Sequence, residues 1–275
     1  YNTKLLEGSL PASLQNLTFG KHFNLRFAKK ILPMNIQSVQ FGENYNHAFN
    51  LGVIPESLSH LTFGANFNFP LFKGDILHVS VLVFGANYNQ FIDPEVLPES
   101  LTELTFGHNF NQPLRTHNSI VVSNSLVNSI RYLKFGWNFN TKLHARVLPS
   151  QLRILIFGMK FNHDIPRHCL PPKLRELTFG YEFNQNLSKG VIPHSVTKLT
   201  FGAHFDVIVK PGQMIPSSVN RLYVMDYVTL SECNVSKSVI LATQAGLLHA
   251  VQHLVIFTAA DIHTCDVNGN NLRAI

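Results

Sequence analysis

Apolar side chains recur along this chain with a period that no single helix or strand explains. A motif of the form apolar-x-x-apolar-x-Phe-Gly-x-x-aromatic-Asn-x-x-apolar returns about every 22 residues. Its aromatic-Asn pair stands at Tyr1-Asn2, Phe23-Asn24, Tyr45-Asn46, Phe67-Asn68, Tyr88-Asn89, Phe110-Asn111, Phe139-Asn140, Phe161-Asn162 and Phe183-Asn184, with an altered last copy at Phe205-Asp206. One step shortens to 21 residues before Tyr88 and one lengthens to 29 before Phe139. Repetition at a fixed period of this size is the signature of stacked supersecondary units. Within one unit, Leu104-Thr105-Phe106 alternates with period two, which predicts a short strand with one buried face. The inward set of that unit is Leu101, Leu104, Phe106, Phe110 and Leu114.

Twenty-two residues are too few for a strand, a full helix and two turns, and no 3.6-residue apolar stripe follows the Asn. The return path is therefore expected to be extended, turn-like or a single 3₁₀ turn. One unit cannot bury its own apolar face, but stacked copies can, with strands in parallel about 4.8 Å apart. The fold class is a repeat solenoid, mainly β, with one parallel sheet, of about ten units over residues 1–225. Its crossovers are expected to be right-handed.

The punctuation has physical reasons. A Gly at one phase of every unit marks either a positive φ or a backbone too crowded for a Cβ. Pro recurs at 11, 33, 55, 98, 149, 171, 193 and 216, fixing φ where the next strand begins. The repeated Asn residues, Asn24, Asn46, Asn68, Asn89, Asn111, Asn140, Asn162 and Asn184, read as a structural ladder satisfying peptide groups at a buried turn. At the 21-residue step His78 replaces the Pro, predicting a looser corner. The 29-residue step inserts a loop near 116–128, and insertions in solenoids map to one face.

These motifs, such as the run from Leu97-Pro98 through Phe106-Gly107 to Phe110-Asn111, resemble FNIP repeats. That leucine-rich-repeat-like family occurs in social amoebae and in giant DNA viruses of amoebae. The resemblance implies a solenoid scaffold for protein–protein interaction, often following an F-box. No F-box stands in these 275 residues, so a substrate-recognition role in a ubiquitin-ligase adaptor follows only if one lies upstream. Tyr1-Asn2 is itself the back half of a unit, which reads as part of a longer protein.

After Met225 the pattern changes. Residues 241–255 carry apolar positions at helical spacing, followed by Ala259-Ala260-Asp261 and Asn268-Gly269. This segment, 226–275, resembles an ankyrin repeat, implying a short α-helical C-terminus.

Composition narrows the chemistry. Only 14% of residues are charged, against 45% hydrophobic, which excludes a charged disordered tail and a Lys/Arg-rich nucleic-acid arm. No apolar run approaches 18 residues, so no membrane-spanning helix and no membrane partner are expected. Three cysteines, Cys169, Cys233 and Cys265, are too scattered for a disulfide framework or a four-ligand zinc site. With no secretory pattern at the start, an intracellular location is expected, host cytoplasm if the chain is viral. His249 and His253 stand at i and i+4 without an accompanying Glu. No nucleophile elbow, phosphate-binding Gly loop or paired acid motif occurs, so no enzyme activity, metal or cofactor is expected.

A net charge of +6 keeps nucleic acid as the alternative partner. One outward strand position reads Thr18, Gln40, Thr62, Val83, Thr105, Lys134, Ile156, Thr178 and Thr200, mostly a neutral ladder. From the sixth unit the outward positions turn aromatic and aliphatic: Tyr132, Lys134, Trp137, Ile154, Ile156, Met159 and Tyr181. These seven are the candidate partner-binding residues, because exposed apolar side chains on neighbouring strands mark protein contacts.

Overall fold

The structure, a computed structural model, describes residues 3–49, 51–114, 125–207, 214–226 and 232–233. The chain divides into two compact units, Tyr1–Phe139 and Asn140–Ile275. The first holds six short parallel strands: β1 (Asn16–Thr18), β2 (Ser38–Gln40), β3 (His60–Thr62), β4 (Val81–Val83), β5 (Glu103–Thr105) and β6 (Tyr132–Lys134). The second holds β7 (Ile154–Ile156), β8 (Glu176–Thr178), β9 (Lys198–Gly202), β10 (Arg221–Asp226) and β11 (Glu232–Cys233). Strands β7 to β10 are parallel, and β11 runs antiparallel to β10. Each unit is thus a leucine-rich-repeat-like solenoid.

Register follows the repeat. In the first unit the central residues Leu17, Val39, Leu61, Leu82, Leu104 and Leu133 are Cα partners in succession. In the second they are Leu155, Leu177, Leu199 and Leu222. Every one of these except the half-buried Leu17 is buried, while the residues on either side of it point out. The exception to outward exposure is at β9 and β10, where Thr200 and Tyr223 are buried.

The core is two columns of rings. Phe19, Phe41, Phe63, Phe84, Phe106 and Phe135 stack with centroids 5.4 to 5.8 Å apart. Beside them run Phe23, Tyr45, Phe67, Tyr88, Phe110 and Phe139 at 5.9 to 6.3 Å. The two rings of one repeat stack closer still, as in Phe63–Phe67 at 3.7 Å. The second unit repeats both columns through Phe157, Phe179, Phe201 and Phe161, Phe183, Phe205. Offset stacking of this kind adds to area burial, which is why 22 of the chain's aromatic residues are Phe, against seven Tyr and one Trp.

Gly closes each strand because the backbones meet there. A Cβ at Gly64 would overlap the carbonyl oxygen of Gly42, and one at Gly107 that of Gly85. No positive φ occurs at this phase, so crowding is the reason. Three turns make the return path. The Gly carbonyl accepts the N–H of the aromatic three residues on, as in Tyr45 to Gly42 at 3.2 Å. A corner with positive φ follows, at Gly8, Lys30, Gly52, Gly74, Glu95, Arg146, His168 and Gly190. Then the Pro carbonyl accepts the N–H three residues on, as in Leu101 to Pro98 at 3.0 Å. Pro therefore opens a turn five residues ahead of its strand; it does not start the strand itself.

The short step is closed differently. Asp75 is buried and accepts the N–H of Phe72 at 2.8 Å. Burial pushes its carboxyl above the ordinary range, which that hydrogen bond partly offsets. The centre of the expected inserted loop and the ankyrin-like helices lie outside the described residues. No helix occurs among the described residues.

Candidate functional site

Two ladders of Asn run up the surface where the chain leaves the ring columns. In the first, each Asn that follows an aromatic uses Oδ1 to accept the backbone N–H of its counterpart one repeat on. The bonds are Asn46 to Asn24 at 3.0 Å, then Asn68 to Asn46, Asn89 to Asn68 and Asn111 to Asn89, each at 2.9 Å. In the second unit Asn162 donates to Asn140, Asn184 to Asn162 and Asp206 to Asn184, each at 3.0 Å. These side chains are half-buried or exposed, not at a buried turn, because the ring beside each one takes the inward direction. Gln90, Gln112 and Gln185 add a second donor to the same oxygens.

A further ladder joins amide to amide. Nδ2 of Asn66, Asn87, Asn109 and Asn138 donates to Oδ1 of Asn44, Asn66, Asn87 and Asn109, at 2.9 to 3.1 Å. Its sequence signal is an Asn two residues after Gly42, Gly64, Gly85, Gly107 and Gly136; after Gly20 that place holds His22. In the second unit that place holds Lys160, Glu182 and His204.

The candidate partner-binding residues fall three in the first unit and four in the second. On β6, Tyr132 is half-buried and Lys134 exposed, either side of buried Leu133. Tyr132 is in register with Glu103 of β5. Burial first, and then that carboxylate, pushes its phenol above the ordinary value. Trp137 is 44% exposed and stacks on the ring of His108 with centroids 5.6 Å apart and planes at 15°. In the second unit Ile154 and Ile156 are half-buried on the outward side of β7, and Met159 and Tyr181 are half-buried beyond the strand ends. Tyr181 lies against His204 at 4.0 Å.

Polar groups flank the second set. Glu176, the partner of Ile154 in register, pairs with Lys198 at 3.4 Å. An open polar depression of about 640 Å³ is lined by Asn162, Glu182, Asn184, Ala203, His204 and Asp206. Nothing in it arranges a nucleophile beside a base. Among the described residues no group of three His, Cys, Asp or Glu side chains is placed to hold a metal ion. Cys169 is buried, and burial pushes its thiol up to about 12, leaving it protonated. Among the described residues no helix is long and apolar enough to cross a membrane.

The FNIP Repeat profile matches residues 1–44, 45–76, 78–109, 88–120, 110–160 and 161–204, and the chain belongs to that family. Among solved structures it is similar to CroV588, described as a novel circular LRR protein, at 34% identity and a TM-score of 0.74. The likeness covers 82% of this chain and 35% of that one, so the chain spans about a third of the length of CroV588. No curated protein matches the sequence.

Proposed function

We propose that the chain is a non-catalytic scaffold that recognises a protein partner through the outward faces of its sheets. A repeat solenoid of this fold is typical of interaction scaffolds. The observation that carries the reading is Trp137. A large ring held at 44% exposure in the turn just beyond β6, outside the buried ring columns, is available to a partner, and Trp is enriched among residues that dominate interfaces. Tyr132 and Lys134 lie on the strand just before it. In the second unit Ile154 and Ile156 stand where β1 to β3 carry Asn16, Ser38, His60 and Thr18, Gln40, Thr62, and Met159 and Tyr181 stand where the first two Phe-Gly steps are followed by Lys21 and Glu43.

A photo-crosslinking residue in place of Trp137, and separately of Tyr181, tests this. Adducts to one protein from the face positions, with none from a photo-crosslinking residue at Phe72 on the return path, are the expected outcome. Equal labelling at all three positions would overturn it. Nucleic acid is the second reading, favoured by the net charge of +6 alone. Adducts that are oligonucleotides would support it.

A further inference from the structure

Charge is not shared evenly between the two units. Residues 1–139 carry nine Lys and Arg against eight Asp and Glu, whereas 140–275 carry thirteen against eight. Part of the excess sits where the Pro turn hands the chain to the strand. Arg153 precedes β7 and Arg175 precedes β8, both exposed. Their backbones are neighbours, the N–H of Arg175 donating to the carbonyl of Arg153 at 2.8 Å, so the two side chains start about 4.8 Å apart. Exposed Lys173 places its ammonium 2.7 Å from Oε1 of Gln151. Exposed His194 occupies the next turn. Among the described residues no carboxylate pairs with Arg153, Lys173 or Arg175.

The same corner of the first unit is neutral or acidic over five repeats. Gln15, Gln37, Ser59, Ser80 and Thr102 precede β1 to β5, and Glu56 and Glu99 follow Pro55 and Pro98. Only Arg131, before β6, departs from this. In the second unit, then, one surface runs from cations at the strand starts, across Ile154 and Ile156, to Met159 and Tyr181 beyond the strand ends.

We infer that this surface receives a protein segment that is acidic at one end and apolar along the rest, its carboxylates meeting Arg153, Lys173 and Arg175. The inference rests on the scaffold reading and names the partner class. Arg suits such a partner, because its planar fork binds a carboxylate through two hydrogen bonds. A nucleic acid fits less well. Within the second unit the Arg row is two strands wide and ends at Thr197, short for a surface that follows a phosphate backbone. A backbone continuing along the face would meet the carboxylates of Glu176, Glu182 and Asp206.

The test uses the whole chain and fluorescence anisotropy with a fluorescein-labelled peptide of glutamate and leucine. The comparators are a matching lysine–leucine peptide and an oligo-dT of similar length. Binding of the acidic peptide that falls about tenfold in an Arg153→Gln, Arg175→Gln variant, and more steeply with added salt, supports the inference. Circular dichroism shows that the variant keeps its fold. The inference is overturned if wild type ignores the acidic peptide, if the double variant binds it like wild type, or if oligo-dT binds as tightly. An Ile156→Ser variant separates the two readings. Loss of peptide there but not in the Arg variant leaves the scaffold face standing and removes the acidic partner, and loss in neither removes both.

Discussion

The carbonyl oxygen of Gly42 occupies the space that a Cβ on Gly64 would need. The obstacle is backbone, fixed from behind by the ring columns, so it cannot swing aside. Gly64→Ala is expected to cost about 3 kcal/mol, and Gly107→Ala the same. Gly20 has nothing within 4 Å of its own Cβ position, so Gly20→Ala should be close to neutral. Denaturant melts of the three variants check both halves of this expectation.

The two Asn ladders differ in what they ask of the side chain. Asn68 acts as an acceptor for the N–H of Asn89, a task Asp also performs, as Asn68→Asp should show with a small loss. Asn87 must donate to Oδ1 of Asn66. Asn87→Asp sets oxygen against oxygen and should cost about 1 to 2 kcal/mol. Equal losses in thermal melts would contradict the assignment of the two roles.

Tyr45 and Tyr88 interrupt a column of Phe, and their hydroxyls are buried without a hydrogen-bond partner. Tyr45→Phe and Tyr88→Phe should each stabilise the fold by about 1 kcal/mol. Burial raises both phenols above their ordinary value of 10.0. The folded state therefore holds these protons more tightly than the unfolded one. Stability is complete below about pH 10 and falls as pH rises beyond it. The double Phe variant should lose less stability in that alkaline range than wild type, measured by urea midpoints across pH.

The return corner has positive φ whatever residue occupies it. Gly190 sits at 82° and Arg146 at 62°. An L side chain there is strained by roughly 1 kcal/mol. Gly190→Ala should lower the melting temperature, and His168→Gly, at a corner with the same φ of 62°, should leave it level or raise it.

Much of this fold is legible in the repeat, and the misses have physical causes. Leu104, Phe106 and Phe110 declare the inward face because a strand has period two and every copy agrees. The Phe-Gly phase is visible too, but choosing between positive φ and crowding needs the approach of Gly42 to Gly64, which lies between units. The positive-φ corner escapes notice because Lys30, Glu95, Arg146 and His168 share it with Gly, leaving no residue signature. The amide ladder through Asn44, Asn66, Asn87, Asn109 and Asn138 is a weaker signal than the aromatic-Asn pair, because the second unit has Lys160, Glu182 and His204 at that place. For the candidate face, alternation locates Tyr132, Lys134, Ile154 and Ile156 on the outward side. It says nothing of the burial of Thr200, which depends on what covers the strand.

The most direct measurement is a nuclease-treated pull-down comparing wild type with folded Trp137→Ala, Ile156→Asp and, as a return-side control, Phe72→Ala. Phe72 is 56% exposed and stands on the return path of its repeat, between Asn68 and the Gly74 corner. The expected result is at least one protein retained by wild type and by the Phe72 variant and lost from a face variant. Identical protein sets for all four, or a set that vanishes with nuclease, would contradict recognition of a protein through the sheet.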